Sequence, residues 1–410
     1  MKRKVVLLAV LLGTTLTFTA CTDVNVNVDT NTSSETEASE EDSNEEEEDE
    51  AGSDEQETEA DAEESETEDA KEEESSSEEE EDSEKIEYPE LPLPEYHYYG
   101  PEDWADLADA AGHFLIENSF GNSSYDLGTC TPIVFKVDDS DPKDVKLWGE
   151  YSINMYQLVK TSLINTAGGS FPGIAHIDNS GQSPVVTKME LVEDGSDFEP
   201  SFDRLFVKAG LKDEYQEAMD NINEYVATAL SYYINHNGLY ITQYQNYGWA
   251  PVPIPNAPET RDEDQIVDHV GNFGYTAQYD MREICESELD DADMFSAVDS
   301  DERNDFMIEI YSEKGDDVDD AIKKIKDNLF DDDVKLTKEV DVEFNKNEGC
   351  TRLSNEPPFK DGDKVYVIYI VPQESDLLVI EVTSDYSKDE DKQMATDEVI
   401  EGFLGSIEVK

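Results

Sequence analysis

Hydrophobic positions are sparse between residues 22 and 85 and then return in two blocks, so the pattern separates a polar N-terminal stretch from two regions able to bury a core. In the first block Trp104, Leu107, Ala108, Ala111 and Leu115 recur at i, i+3, i+4, i+7 and i+11, which predicts a helix opened by Gly100-Pro101. Residues 132–137, 145–155, 158–165, 173–177 and 185–192 read as strands, separated by turns at 138–143, Gly168-Gly169 and 178–183. Short turns imply an antiparallel meander with one face open to a helix. Tyr215, Met219, Ile222, Val226, Ala229 and Tyr233 predict a long closing helix over 213–235.

The first block ends near Val252, and Pro253, Pro255 and Pro258 mark a linker over 254–263. In the second block strands are expected at 306–311, 334–344, 365–371 and 377–382. Val318, Ala321, Ile322, Ile325 and Leu329 share one helical face, and Ala395, Val399, Ile400 and Phe403 another. Strands 365–371 and 377–382 are nearly all apolar, so both faces of their sheet should be covered. The expected fold class is α+β, with domains at 88–253 and 264–410, each an antiparallel sheet packed with helices.

The first residues change the picture from a plain globular chain to an exported one. Lys2-Arg3-Lys4, the apolar run 5–12 and the small-residue approach to Ala20-Cys21 form a three-part signal over 1–20. Phe18-Thr19-Ala20-Cys21 resembles the bacterial lipobox, with Phe18 where an aliphatic residue is usual. The resemblance implies diacylation of Cys21 and a membrane partner reached through that anchor; an ordinary secretory signal is the competing reading. Two acyl chains, at about 0.8 kcal/mol per buried methylene, hold a stable anchor where one would not.

Formal charge is 29 minus 102, or −73. Residues 35–87 hold 31 acidic side chains against Lys71 and Lys85, a net −29, which leaves −44 for the rest. Residues 21–87 therefore read as a disordered Glu-rich tether, too polar to offset its ordering entropy. As a flexible coil it would span about 45 Å, and about 200 Å fully extended. Nucleic acid is disfavoured as a partner, because its binding needs clustered Lys and Arg. Weak, nonspecific divalent cations and basic surfaces suit this field better.

Candidate chemistry is thin. Gly169-Ser170-Phe171-Pro172-Gly173 lacks the spacing of a nucleophile elbow, and no catalytic residue is expected. His97, His113, His176, His236 and His269 show no HxxxH or HExxH spacing, so no metal site or cofactor is expected; His176, flanked by Ala175 and Ile177, is the one to watch. The clusters at 138–141, 299–301 and 361–363 lack the EF-hand order and read as turns. Export permits disulfides, so a Cys285 to Cys350 bridge is one reading and buried unpaired thiols, with Cys130, the other. Tyr240, Tyr244, Tyr247 and Trp249 offer either a binding surface for sugar or peptide or a packing seam.

Asp144-Val145-Lys146-Leu147-Trp148-Gly149-Glu150-Tyr151, Gly168-Gly169-Ser170-Phe171-Pro172-Gly173, Val192-Glu193-Asp194-Gly195-Ser196 and Tyr244-Gln245-Asn246-Tyr247-Gly248-Trp249 carry one likeness. Over about residues 103–252 the chain resembles uncharacterised surface lipoproteins of clostridial Firmicutes, which implies location rather than chemistry. A helix before a curved sheet is also similar to the cystatin-like or nuclear-transport-factor-like cone. In its order of strand, helix, strands and a last helix ending Gly402-Phe403-Leu404-Gly405-Ser406-Ile407, the second domain resembles the PsbP-like α/β/α sandwich, which implies an accessory or binding role. The expectation is a lipid-anchored protein on the extracytoplasmic face of the cell membrane that binds or scaffolds a cell-wall or surface protein. A cell-envelope hydrolase with a carboxylate pair in the first domain and a passive cation-binding surface protein are the alternatives.

Overall fold

The computed structural model describes residues 88–120, 124–289, 291–329 and 334–410. Cys21, the signal and the tether lie outside the described residues. Among the described residues the fold is α+β, with two seven-stranded sheets and a three-stranded one.

The first half opens with α1 (Ala105–Phe120) and continues through β1 (Leu127–Asp138), β2 (Val145–Val159), β3 (Ser162–Ser170), β4 (Gly173–Asp178) and β5 (Val185–Leu191). Helices α2 (Lys212–Asp220) and α3 (Ile222–Asn237) follow, then β6 (Gln243–Gln245) and β7 (Val252–Pro253). The sheet order is β5-β4-β2-β3-β6-β7, with β1 also paired to β2. One edge of β2 is shared: Val145 to Gly149 pair with β4, and Ser152 to Val159 pair with β3. Glu150 and Tyr151 sit at that fork. Alternate residues of β2 face opposite sides. Leu147, Tyr151, Ile153 and Met155 enter the main core with α1 and α3, while Trp148 packs in a second cluster with Phe206, Leu211 and Tyr215.

Three expectations change here. The Gly168-Gly169 turn is instead the end of β3, because strands cross closely at the fork: a Cβ on Gly168 would stand 2.6 Å from the Ile153 carbonyl oxygen. The helix expected over 213–235 is two helices, broken at Asn221 (φ −118°, ψ 17°), whose side-chain amide donates to the Glu217 carbonyl. The 254–263 segment, expected as a linker, is packed down. Ile254 is buried in the first core, Ser231 Oγ donates to the Pro255 carbonyl, and Gln243 and Gln265 exchange amide hydrogen bonds of 2.9 and 3.1 Å.

The second half contains β8 (Ile266–Val270), β9 (Tyr275–Asp280), β10 (Ile284–Leu289), β11 (Ala292–Ala297) and β12 (Phe306–Lys314), followed by α4 (Val318–Asn328). Then come β13 (Thr337–Phe344), β14 (Asn347–Ser354), β15 (Lys364–Pro372), β16 (Asp376–Asp385), α5 (Glu390–Ser406) and β17 (Glu408–Val409). The large sheet runs β10-β11-β12-β16-β15-β14-β13, antiparallel throughout, and β17-β9-β8 form the small one. Strand alternation splits the burial. Leu377, Val379, Ile368 and Ile370 meet Ala321, Ile322 and Ile325 of α4, whereas Leu378, Ile380 and Val382 meet Ile400 and Phe403 of α5. Both faces of β15 and β16 are thus covered, as their apolar sequences require. Asp317 and Asp389 cap α4 and α5, each accepting two backbone N–H groups of the first turn.

Candidate functional site

The chain arrives at the folded body through a proline-rich strap, residues 91–99, laid over α1 and α3. Leu93 and Tyr96 are buried; the Tyr96 hydroxyl donates to the Cys130 carbonyl and the Tyr233 hydroxyl to the Pro94 carbonyl, each at 2.7 Å. Tyr99 stacks on His236 with ring centres 3.7 Å apart. Ahead of the strap, the Tyr88 hydroxyl donates to Asp264 Oδ1 (2.8 Å) and accepts from Arg261, so the N-terminal side of the body is also tied to the second half.

These anchors carry His97 onto α1, where Asp109 and His113, four residues apart, project from one face. His97 Nδ1 lies 2.9 Å from Asp109 Oδ2 and 3.3 Å from His113 Nε2. His113 Nε2 is 3.6 Å from Asp109 Oδ1, and Glu95 Oε1 is 3.7 Å from His113 Nδ1. The Tyr98 backbone N–H donates to Asp109 Oδ1 at 2.7 Å and orients that carboxylate. Glu95, His97 and His113 can bring ligand atoms within 4.8 Å of one another. The sequence expectation of isolated histidines is corrected by this convergence: sixteen positions separate the two rings, and only the strap's path over α1 joins them. The one local signal is Asp109 and His113 at helical spacing.

His176 sits differently. The register of β2, β4 and β5 aligns Lys146, His176 and Lys188, and His176 Nδ1 meets Asp144 Oδ1 at 2.6 Å while Nε2 lies 3.4 Å from Glu190 Oε1. The His176 hydrogen bond holds the Asp144 carboxyl below its ordinary range, and the Lys188 hydrogen bond does the same for Glu190. Each carboxylate also has a lysine, so the row is a charge-compensated rib across the sheet.

The third histidine network is buried. Tyr275 donates to Asp293 Oδ2 (2.8 Å) and lies 3.2 Å from His269 Nε2; His269 Nδ1 is 2.9 Å from Glu286, and Tyr279 donates to the other Glu286 oxygen. Asn272 donates twice to Asp293, which has no exposed surface. Burial opposes a charge on His269, but the hydrogen bond and charge of Glu286, with Asp293, outweigh it and raise its pKa. Fully partnered in this way, the network joins β8, β9, β10 and β11 into one unit.

Glu150, at the fork of β2, is fully buried, with Tyr215 near enough to feel its charge. Its Oε1 accepts the Phe171 N–H at 3.1 Å, while Oε2 has no hydrogen-bond partner. Loss of solvation pushes its pKa up to about 7, against the pull of hydrogen bonds from Ser170 and Phe171. Ser170 is therefore a support for a buried carboxyl at the fork.

The four aromatics singled out in the sequence do not form one surface. Tyr244 is fully buried and donates to the Asn223 carbonyl, Tyr240 is half-buried, and Tyr247 and Trp249 are exposed. Around them the Asp299 N–H donates to the Gly248 carbonyl, and Gln245 donates to the Met281 carbonyl, so this stretch lies at the seam between the halves. The Cys285 to Cys350 bridge is likewise corrected. Both thiols are free and buried, on β10 and β14, five strand spacings or about 24 Å apart along the sheet, whereas a disulfide spans at most about 7 Å between Cα atoms. At the acidic turns carboxylates are occupied locally: Asp138 accepts from Ser140, Asp141 from the Lys143 N–H, and Asp363 from the Lys360 N–H.

No family model and no curated protein sequence matches the chain. Among solved structures, a protein of Bacteroides thetaiotaomicron VPI-5482, determined at 1.50 Å, is similar over 33% of this chain at 14% identity with a TM-score of 0.21. The match spans 45% of that protein's length.

Proposed function

We propose that the chain is a lipoprotein of the extracytoplasmic membrane face, anchored by a diacylglyceryl group on Cys21, whose acidic α+β body is displayed on residues 22–87 and acts by binding or scaffolding. The observation that carries this reading is the order of basic residues, apolar run, Ala20-Cys21 and acidic tract at the N-terminus. The likeness to clostridial surface lipoproteins supports it from the motifs around β2, β3 and β6. A sheet sandwiched between α4 and α5 supports the PsbP-like reading of the second half, and with it an accessory role at the cell wall or on another surface protein. Among the described residues no helix is long and apolar enough to cross a membrane.

The test is expression of the full chain in a bacterium fed an alkyne fatty acid. The wild type is expected to take up the label and to fractionate with membranes, and Cys21→Ser to lose the label. Recovery of the mature protein with Met1 intact, or of unlabelled wild type in the cytosol, overturns the proposal.

A further inference from the structure

The geometry points to a binding site for a divalent transition-metal ion of the zinc class, built from His97 Nδ1, His113 Nε2 and the Asp109 carboxylate, with water in the fourth position and Glu95 beside the other His113 nitrogen. This goes beyond membrane display and does not depend on it.

Three observations carry the assignment. The spacing is that of a coordination polyhedron: zinc–nitrogen bonds of about 2.0–2.1 Å at a tetrahedral angle set ligand atoms about 3.3 Å apart. Here His97 Nδ1 and His113 Nε2 stand 3.3 Å apart, and the Asp109 oxygens are 2.9 and 3.6 Å from the two nitrogens. The existing contacts share one proton: His97 Nδ1–H is divided between Asp109 Oδ2 at 2.9 Å and the His113 Nε2 lone pair at 3.3 Å, a bifurcated bond that a cation would replace with direct bonds. A cation satisfies all three groups at once. The ligands are also held from behind: Asp109 by the Tyr98 N–H and by α1, and the strap on either side of His97 by Tyr96 and by the stack of Tyr99 on His236. Such outer support is what metal-binding carboxylates and imidazoles use.

Ligand chemistry selects the ion. Two imidazoles and a carboxylate favour zinc and its neighbours over the hard cations calcium and magnesium, which take oxygen ligands. Access is open on the strap side, where the His97 and Glu95 side chains are 43% and 75% exposed. The surrounding charge draws cations in, since the chain outside residues 35–87 carries −44.

The test uses the full chain in millimolar excess Mg²⁺, which occupies the tether carboxylates, titrated with Co²⁺ by visible absorption and then with Zn²⁺ in competition. The expected result is Mg²⁺-resistant binding of about one ion per chain, with the ligand-field bands of four-coordinate Co²⁺ bleached by Zn²⁺. His97→Gln and His113→Gln should each weaken it by about tenfold or more, Asp109→Asn likewise, and His176→Gln not at all. His97 lies on the exposed strap, so His97→Gln keeps the test decisive where a change on α1 disturbs the helix, and circular dichroism reports the fold of each variant. Zn²⁺ binding that disappears in Mg²⁺, or that is equal in wild type, His97→Gln and His113→Gln, overturns the assignment.

Discussion

Replacing Glu150 with Gln should remove one specific piece of the protein's pH dependence. Burial at the β2 fork raises this carboxyl to about 7, against an ordinary value of 4.5. That displacement corresponds to about 3 kcal/mol against the ionised form in the folded state. Because the folded-state pKa is the higher one, the native protein holds its proton while the unfolded chain has lost it, so stability falls as pH rises from about 4.5 to about 7. Above that window the full penalty is present; below it there is none. The neutral amide carries a constant offset, chiefly a buried NH₂ in place of the unpartnered Oε2, and no slope. The sequence pI of 4.1 makes acid conditions unsuitable for soluble protein, so the useful range starts near pH 5. Between about pH 5 and about pH 8, the stability of Glu150→Gln relative to wild type should improve by about 2–3 kcal/mol. Urea unfolding at several pH values, followed by tryptophan fluorescence with Trp148 on the same strand, measures this difference. A stability difference that stays constant across the range would refute the reasoning, whatever the size of the offset.

Two glycine substitutions should act in opposite directions. Gly238 ends α3 at φ +63°, so Gly238→Ala should destabilise by about 1 kcal/mol in urea unfolding. Gly402 lies inside α5 with nothing within 4 Å of an added Cβ, and Gly402→Ala should stabilise by about 0.5–1 kcal/mol; the same sign for both sinks the argument. Burial pushes the Cys285 thiol up to about 11, so it should resist thiol reagents in the native state. After unfolding without reductant, Cys130, Cys285 and Cys350 should all label, and a crosslinked peptide containing Cys285 and Cys350 on mapping would contradict the strand order.

Local periodicity alone determined a good part of this fold. The α1 and α4 stripes and the apolar runs that became β15 and β16 each declare their element within a few turns or pleats, because burial of one face repeats at the element's own period. Strands β8 and β11 are illegible in the sequence for a matching reason. Inward positions there are filled by His269 and Asp293, polar residues that satisfy each other through Tyr275 and so break the alternation that marks a strand. The Gly168-Gly169 pair carried a turn signature yet lies within β3, where it meets a crossing backbone that no neighbouring residue announces.

The sites were decided by tertiary structure. His97, Asp109 and His113 become one cluster only when the strap crosses α1, and Glu150 acquires its raised pKa only when β3 and β4 part around it and its carboxyl is buried. Periodic burial is a property of each segment and can be read along the chain. Ligand convergence and desolvation are properties of distances between segments, and those exist only once the chain has folded back on itself.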